Sequence, residues 1–152
     1  MYLTLIRHGE AHPAVNGDDI KRPLTERGHL QAEQTAQAIK DDLKPDVFVV
    51  SPLLRAQQTL AHLQAYFPDV PVLICNDIKP DDDAHVAIEW LSHLDYQSVV
   101  VVCHMNVVGY MDQLLCQHPF HGFALAEARR YEQAVIAESL SRPMAQFVPV
   151  VD

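Results

Sequence analysis

A chain of 152 residues with 49% hydrophobic side chains has apolar material for one core and too little length to need a second, so a single domain over 1–152 is expected. Eleven lysines and arginines against 20 aspartates and glutamates give a formal net charge of -9, which would repel a phosphate backbone and argues against nucleic-acid binding. The longest apolar runs, such as 99–103, are far too short to cross a bilayer, the opening MYLTLIRHGE has no signal-peptide pattern, and Cys75, Cys103 and Cys116 make no disulfide framework; a cytoplasmic address and no membrane partner are expected.

In chain order, YLTLIR (2–7) reads as a first strand, rich in β-branched and aliphatic residues and covered on both faces. The stretch from Glu10 to Leu24 is a long loop able to fold over a site. Thr25 is an N-cap candidate for a first helix whose apolar face would carry Leu30, Ala36, Ile39 and Leu43, with Glu26 favouring its positive end. DVFVV (46–50) is a second strand, and Leu54, Ala56, Leu60, Ala61 and Leu63 mark a second helix. PVLI (71–74) is a third strand, 86–94 a third helix, SVVVVC (98–103) a fourth strand and 107–116 a fourth helix, and these later strands, like the first, read as covered on both faces. Strand alternating with helix predicts an α/β fold with three layers, a mostly parallel central sheet flanked by helices. After residue 117 the pattern changes, and EQAVIAES with MAQFVPVV, around Arg142-Pro143, predicts an antiparallel C-terminal addition.

In an open parallel sheet, ligands bind beyond the carboxyl ends of the strands. There this chain carries Arg7-His8-Gly9 after strand one, Ser51 and Arg55 after strand two, NDIKPDDD after strand three and His104-Met105-Asn106 after strand four. Arg7 alone could be a surface residue with its stem along the sheet edge, and His8 alone a hydrogen-bonded structural histidine. Arg55 opens a helix, where a cation opposes the dipole unless an anion lies nearby. Two arginines and two histidines from three strand ends of an acidic chain together predict an anion site.

The blocks IRHGEA, PLTERGHLQA, SPLLRAQQT and VVVVCHMN, in that order between residue 4 and about 110, resemble the histidine phosphatase (phosphoglycerate mutase-like) superfamily. The short length, the RHGEA form and the KRPLT segment are most similar to its small SixA-type branch of protein-phosphohistidine phosphatases. The resemblance implies that His8 is a nucleophile, that Arg7, Arg55 and His104 form a phosphate pocket, and that the backbone N–H of Met105 is a further donor. Guanidinium forks suit phosphoryl oxygens, His104 would add a donor if protonated, and nearby arginines favour the neutral ring that His8 needs to attack phosphorus. A carbonyl such as that of Gly9 would fix the reactive tautomer. The arginines would take a metal's charge-neutralising role, so neither metal nor cofactor is expected. Arg22 and Asp19 fit substrate-orienting positions, though a one-residue shift would exchange Asp19 for Asp18.

Many relatives carry a carboxylic acid after strand three to protonate an alkoxide leaving group. Here DIKPDDD puts Pro80 at that position, with Asp77, Asp81, Asp82 and Asp83 left as acids or as a solvated loop. Imidazole leaves as a far weaker base, which favours a phosphorylated protein of the phosphotransfer or phosphorelay type as substrate. A small-molecule phosphomonoesterase with a loop aspartate as acid, and a module that binds phosphoproteins without turnover, are the alternatives. His85, Glu89 and His93 share a helix face but are read as a polar stripe rather than metal ligands. His118 and His121 are loop residues, and Cys103 is an apolar filler at the end of a buried strand.

Overall fold

Aliphatic runs with no polar side are satisfied only where both faces of a sheet are covered. The computed structural model describes residues 1–152 and arranges these runs as parallel strands β1 (Tyr2–Arg7), β2 (Val47–Val50), β3 (Val72–Ile74) and β4 (Ser98–Cys103). Between them come helices α1 (Glu26–Ile39), α2 (Leu54–Gln64), α3 (Ala84–Ser92) and, after β4, α4 (Val107–Cys116). Strands β5 (Ala128–Glu132) and β6 (Arg142–Phe147) complete a six-stranded sheet in the order β3-β2-β4-β1-β5-β6, with β5 antiparallel to β1 and β6 antiparallel to β5. No helix is long and apolar enough to cross a membrane.

The two-residue alternation along each strand builds two cores. Val99, Val101 and Cys103 of β4 join Leu3, Leu5, Val47 and Val49 in the cluster that α3 and α4 cover. Val100 and Val102 join Ile6, Phe48 and Val50 in the cluster covered by α1 and α2. Helix α1 starts where its sequence predicts, with the Thr25 hydroxyl accepting from Gly28 N.

Three expectations need correction. The buried face of α1 is Gly28, Gln31, Ala32, Thr35 and Ala36, while Leu30 is exposed. Small residues face inward because the helix comes very close to the turn after β1. An added Cβ on Gly28 would lie 2.0 Å from the Glu10 carbonyl oxygen, and one on Gly9 2.6 Å from that of Gly28. β3 is not covered on both faces; it is the sheet edge, with Val72 and Ile74 exposed. Finally, the first strand of the closing pair is ARRYE, and most of EQAVIAES forms the connection that follows it. The charges of Arg129 and Arg130 conceal that strand, since each guanidinium is laid over a ring, Arg129 at 3.8 Å from Phe123 and Arg130 at 4.3 Å from Tyr2.

The Gly28 contact supplies a test. Gly28→Ala must push Glu10 and the His8–Gly9 turn away from α1. A loss of roughly 2–3 kcal/mol in chemical denaturation is expected, with activity reduced in the folded fraction; unchanged stability would show that the helix can retreat freely.

Candidate active site

Parallel register brings the key residues together. Arg7 is paired with Cys103 across β1 and β4, so His8 and His104 leave adjacent strand ends. Their rings tilt at 57° with centroids 5.0 Å apart. The His8 backbone is tied on both sides, its N–H donating to Cys103 O and its carbonyl accepting from Ala126 N. Gly9 N–H donates at 3.0 Å to the Thr59 hydroxyl, which itself donates to Arg55 O one turn earlier on α2. The turn after β1 is thus attached to the helix that carries Arg55.

His8 Nδ1 lies 2.6 Å from Gly9 O. A carbonyl can only accept, so the proton is on Nδ1 and Nε2 keeps its lone pair. His8 is buried, and desolvation, opposed by the Gly9 bond and aided by Arg55, Arg7 and Arg22, lowers its pKa to about 4. His104 is lowered further, by burial first and then by His8 and the same arginines. Its Nε2 lies 2.7 Å from the Ser51 hydroxyl, whose oxygen also accepts from Leu53 N at 3.2 Å. Where Ser51 O–H donates to Nε2, the proton of a neutral His104 sits on Nδ1, which is buried and has no partner within the protein. In that tautomer a neutral His104 offers a hydrogen-bond donor without a positive charge.

The arginines keep donors in reserve. Arg7 spends Nη1 on Phe123 O at 2.7 Å, and its buried Nε is unpaired. Arg55, 2% exposed, gives Nη1 to Asp19 O at 2.8 Å and Nη2 to Asp19 Oδ2 at 3.3 Å, again leaving Nε unpaired. Burial lowers both arginine pKa values, opposed by Glu127 and Asp19 respectively, and guanidinium remains charged at any physiological pH.

The loop from Glu10 to Leu24 does fold over this edge. Arg22 bridges His12 O at 2.7 Å and Asp19 Oδ1 at 3.1 Å, and Leu54 N at the start of α2 donates to Ile20 O. Of the two aspartates, Asp19 faces Arg22 and Arg55, whereas Asp18 lies 3.9 Å from Lys21. Asp19, lowered in pKa by Arg22 and Arg55 against desolvation, meets the guanidiniums as an anion. Met105 N–H makes no hydrogen bond within the protein, and the Met105 sulfur accepts from Phe123 N at 3.4 Å.

The Pro80 carbonyl accepts from Asn106 N and Val107 N at 3.0 and 3.1 Å, just after His104. Asp82 accepts from Lys79 N, and Asp83 caps α3 by accepting from His85 N. The charged groups acting on the His8 and His104 rings are arginines and the rings themselves, with no carboxylate among them. Ser51 and Thr59 entered the sequence argument only as members of the SPLLRAQQT block, with no role given to either hydroxyl, while the Phe123 carbonyl did not enter it at all. His85 pairs with Glu138 at 2.9 Å, and His85, Glu89 and His93 do not converge as ligands. Cys103 is wholly buried.

A pH dependence follows. A depressed His8 pKa means that the unprotonated ring dominates at every pH above about 4. The acid limb of kcat/KM is expected near that pH, leaving a flat profile from roughly pH 5 to neutrality. An acid limb centred near the ordinary histidine value would refute this protonation state.

The chain is similar to known proteins in sequence and in fold. A family model described as "Histidine phosphatase superfamily (branch 1)" matches residues 3–79. Phosphohistidine phosphatase SixA of Escherichia coli (strain K12) is 30% identical over 122 residues, which is 76% of this chain and 74% of that protein. The structure of a protein histidine phosphatase SixA complexed with tungstate superposes with a TM-score of 0.86 at 24% identity, over 97% of each chain. The alpha-ribazole phosphatase of Shigella flexneri gives 0.71 at 19% identity over 100% of each.

Proposed function

This chain belongs to the histidine phosphatase superfamily and is similar to its SixA-type members, and on that premise we propose that it removes phosphate from a phosphohistidine-containing protein. That it is a phosphatase follows from the family and the SixA relative; the mechanism and the substrate class are our reading.

His8 Nε2, unprotonated and aimed away from the Gly9 carbonyl, attacks phosphorus in line. A P–N bond to His8 forms as the P–N bond to the substrate imidazole breaks, and that imidazole leaves with the electron pair. Water then attacks the phosphorylated His8, releasing inorganic phosphate and restoring the ring. Arg7, Arg55, the Nδ1–H of His104 and the Met105 N–H hold the phosphoryl oxygens through both steps. Arg22 and Asp19 orient the approaching group from the loop. The cationic side chains neutralise the charge, so no step needs a metal or cofactor.

The observation that carries the choice of substrate is Pro80. Where an acid would protonate an alkoxide, this chain offers a backbone carbonyl already engaged at the start of α4. A leaving group that is a weak base dispenses with that acid. A protein histidine phosphatase SixA of the same fold has been obtained in complex with tungstate, a tetrahedral oxyanion, which is in keeping with a phosphoryl substrate.

The test compares substrates. Purified protein in EDTA is incubated with a phosphohistidine protein and with para-nitrophenyl phosphate. Release from the phosphohistidine protein alone is expected. Preference for the ester would transfer the assignment to a small phosphomonoester, and capture of the phosphoprotein without release would make the chain a binding module.

A further inference from the structure

A second group of reactive side chains lies at the far end of α4. Asp112 and Cys116 are four residues apart on the helix and share a face. Gln117 then adopts a left-handed conformation, φ 56°, which turns the chain so that His118 folds back over the last helical turn. One oxygen, one sulfur and one nitrogen from Asp112, Cys116 and His118 lie within 4.8 Å of one another.

The polar atoms here converge without good hydrogen bonds among them. Asp112 is 2% exposed; its Oδ1 receives the Tyr131 hydroxyl proton. Its Oδ2 lies 3.2 Å from both His118 Nε2 and Arg129 Nη1 but has no well-formed hydrogen bond. His118 Nδ1 is 2.8 Å from Pro119 O and must be the donor there. With Nδ1 as the donor, His118 Nε2 is the ring nitrogen left to act as a ligand, and it faces Asp112 Oδ2 at 3.2 Å. Ligand atoms about 2.0–2.1 Å from a tetrahedral zinc ion stand roughly 3.3 Å apart, close to the 3.2 Å found. A backbone carbonyl on the other ring nitrogen is also the usual partner that orients a metal-bound histidine.

We propose that Asp112 Oδ2, Cys116 Sγ and His118 Nε2 bind one thiophilic divalent cation, zinc by preference, with solvent as the fourth ligand. Solvent reaches the site through a cavity of about 700 Å3 lined by Asp112, His118, His121 and β6 residues such as Met144. Arg129 opposes a cation, but it is offset by Glu127 Oε2 at 2.6 Å and by the carbonyls of His121 and Gly122. Burial holds the Cys116 thiol protonated in the free chain. On binding, the sulfur–metal bond forms and the thiol proton passes to buffer. The ion takes no part in phosphoryl transfer. It fastens the end of α4 to the segment running to Phe123, whose carbonyl holds Arg7.

The full chain, stripped with a chelator and dialysed, is titrated with Co2+ and then Zn2+. One equivalent of Co2+ is expected, with a near-ultraviolet thiolate-to-cobalt band and visible bands of tetrahedral cobalt that Zn2+ abolishes. Cys116→Ser should remove the near-ultraviolet band, and His118→Gln should weaken affinity at least about 10-fold. Circular dichroism identifies any variant that fails to fold, for which Cys116→Ala is the replacement. Phosphatase rate should be unchanged in Cys116→Ser. Absence of the charge-transfer band in the parent chain, or binding that survives both substitutions, overturns the proposal and leaves an Asp112–His118 ion pair with adventitious metal only.

Discussion

His8→Ala is expected to abolish phosphate release, by on the order of 10^4-fold or more, because no other group can accept the phosphoryl from the same position. The ring's backbone is held by Cys103 and Ala126 and its Nδ1 by Gly9. The substitution thus removes the nucleophile with little change to its surroundings. Rapid quenching of the unaltered chain during turnover should trap an acid-labile, base-stable phosphoryl group, absent from the variant. Cys103→Ser is the control for a thiol mechanism. Burial pushes that thiol up to about 12, so it stays protonated at any relevant pH. Retained activity in Cys103→Ser with none in His8→Ala fits the imidazole; the opposite pair of results would move the chemistry to sulfur.

The second large effect is expected at Arg55. Arg55→Lys keeps the charge but loses the planar fork, and kcat/KM should fall by about 10^2–10^3. The fall should appear mainly in kcat, since the charge that Arg55 meets grows as phosphorus passes between nitrogens. Thermal unfolding would distinguish this from misfolding, because Arg55 also ties the loop at Asp19 O. Activity within a few-fold of the parent would mean that Arg7 and His104 suffice.

Arg7, His8, Arg55 and His104 were legible because strand ends can be read from aliphatic runs, and a cation at the start of α2 is conspicuous against the helix dipole. The parallel sheet was legible for the same reason. The Gly9 carbonyl that holds His8 Nδ1 was legible from adjacency. The Phe123 carbonyl that holds Arg7 was not, because it comes from a segment remote in sequence and backbone atoms leave no compositional trace. Ser51 and Thr59 are short hydroxyl residues whose role depends on where α2 lies. β5 was misplaced because Arg129 and Arg130 resemble surface residues until Phe123 and Tyr2 are set beneath them. Leu30 was assigned inward because periodicity favours bulk, whereas the near-contact at Gly28 demands small side chains.

Asp19 sits against Arg55 through both its carbonyl and its carboxylate. On the proposed reading, a phosphoryl group that takes the remaining Arg55 donors would share the guanidinium with a carboxylate already beside it. Such a neighbour would trade ground-state affinity for easier release of orthophosphate. Asp19→Asn should accordingly lower the inhibition constant of orthophosphate, measured by competition.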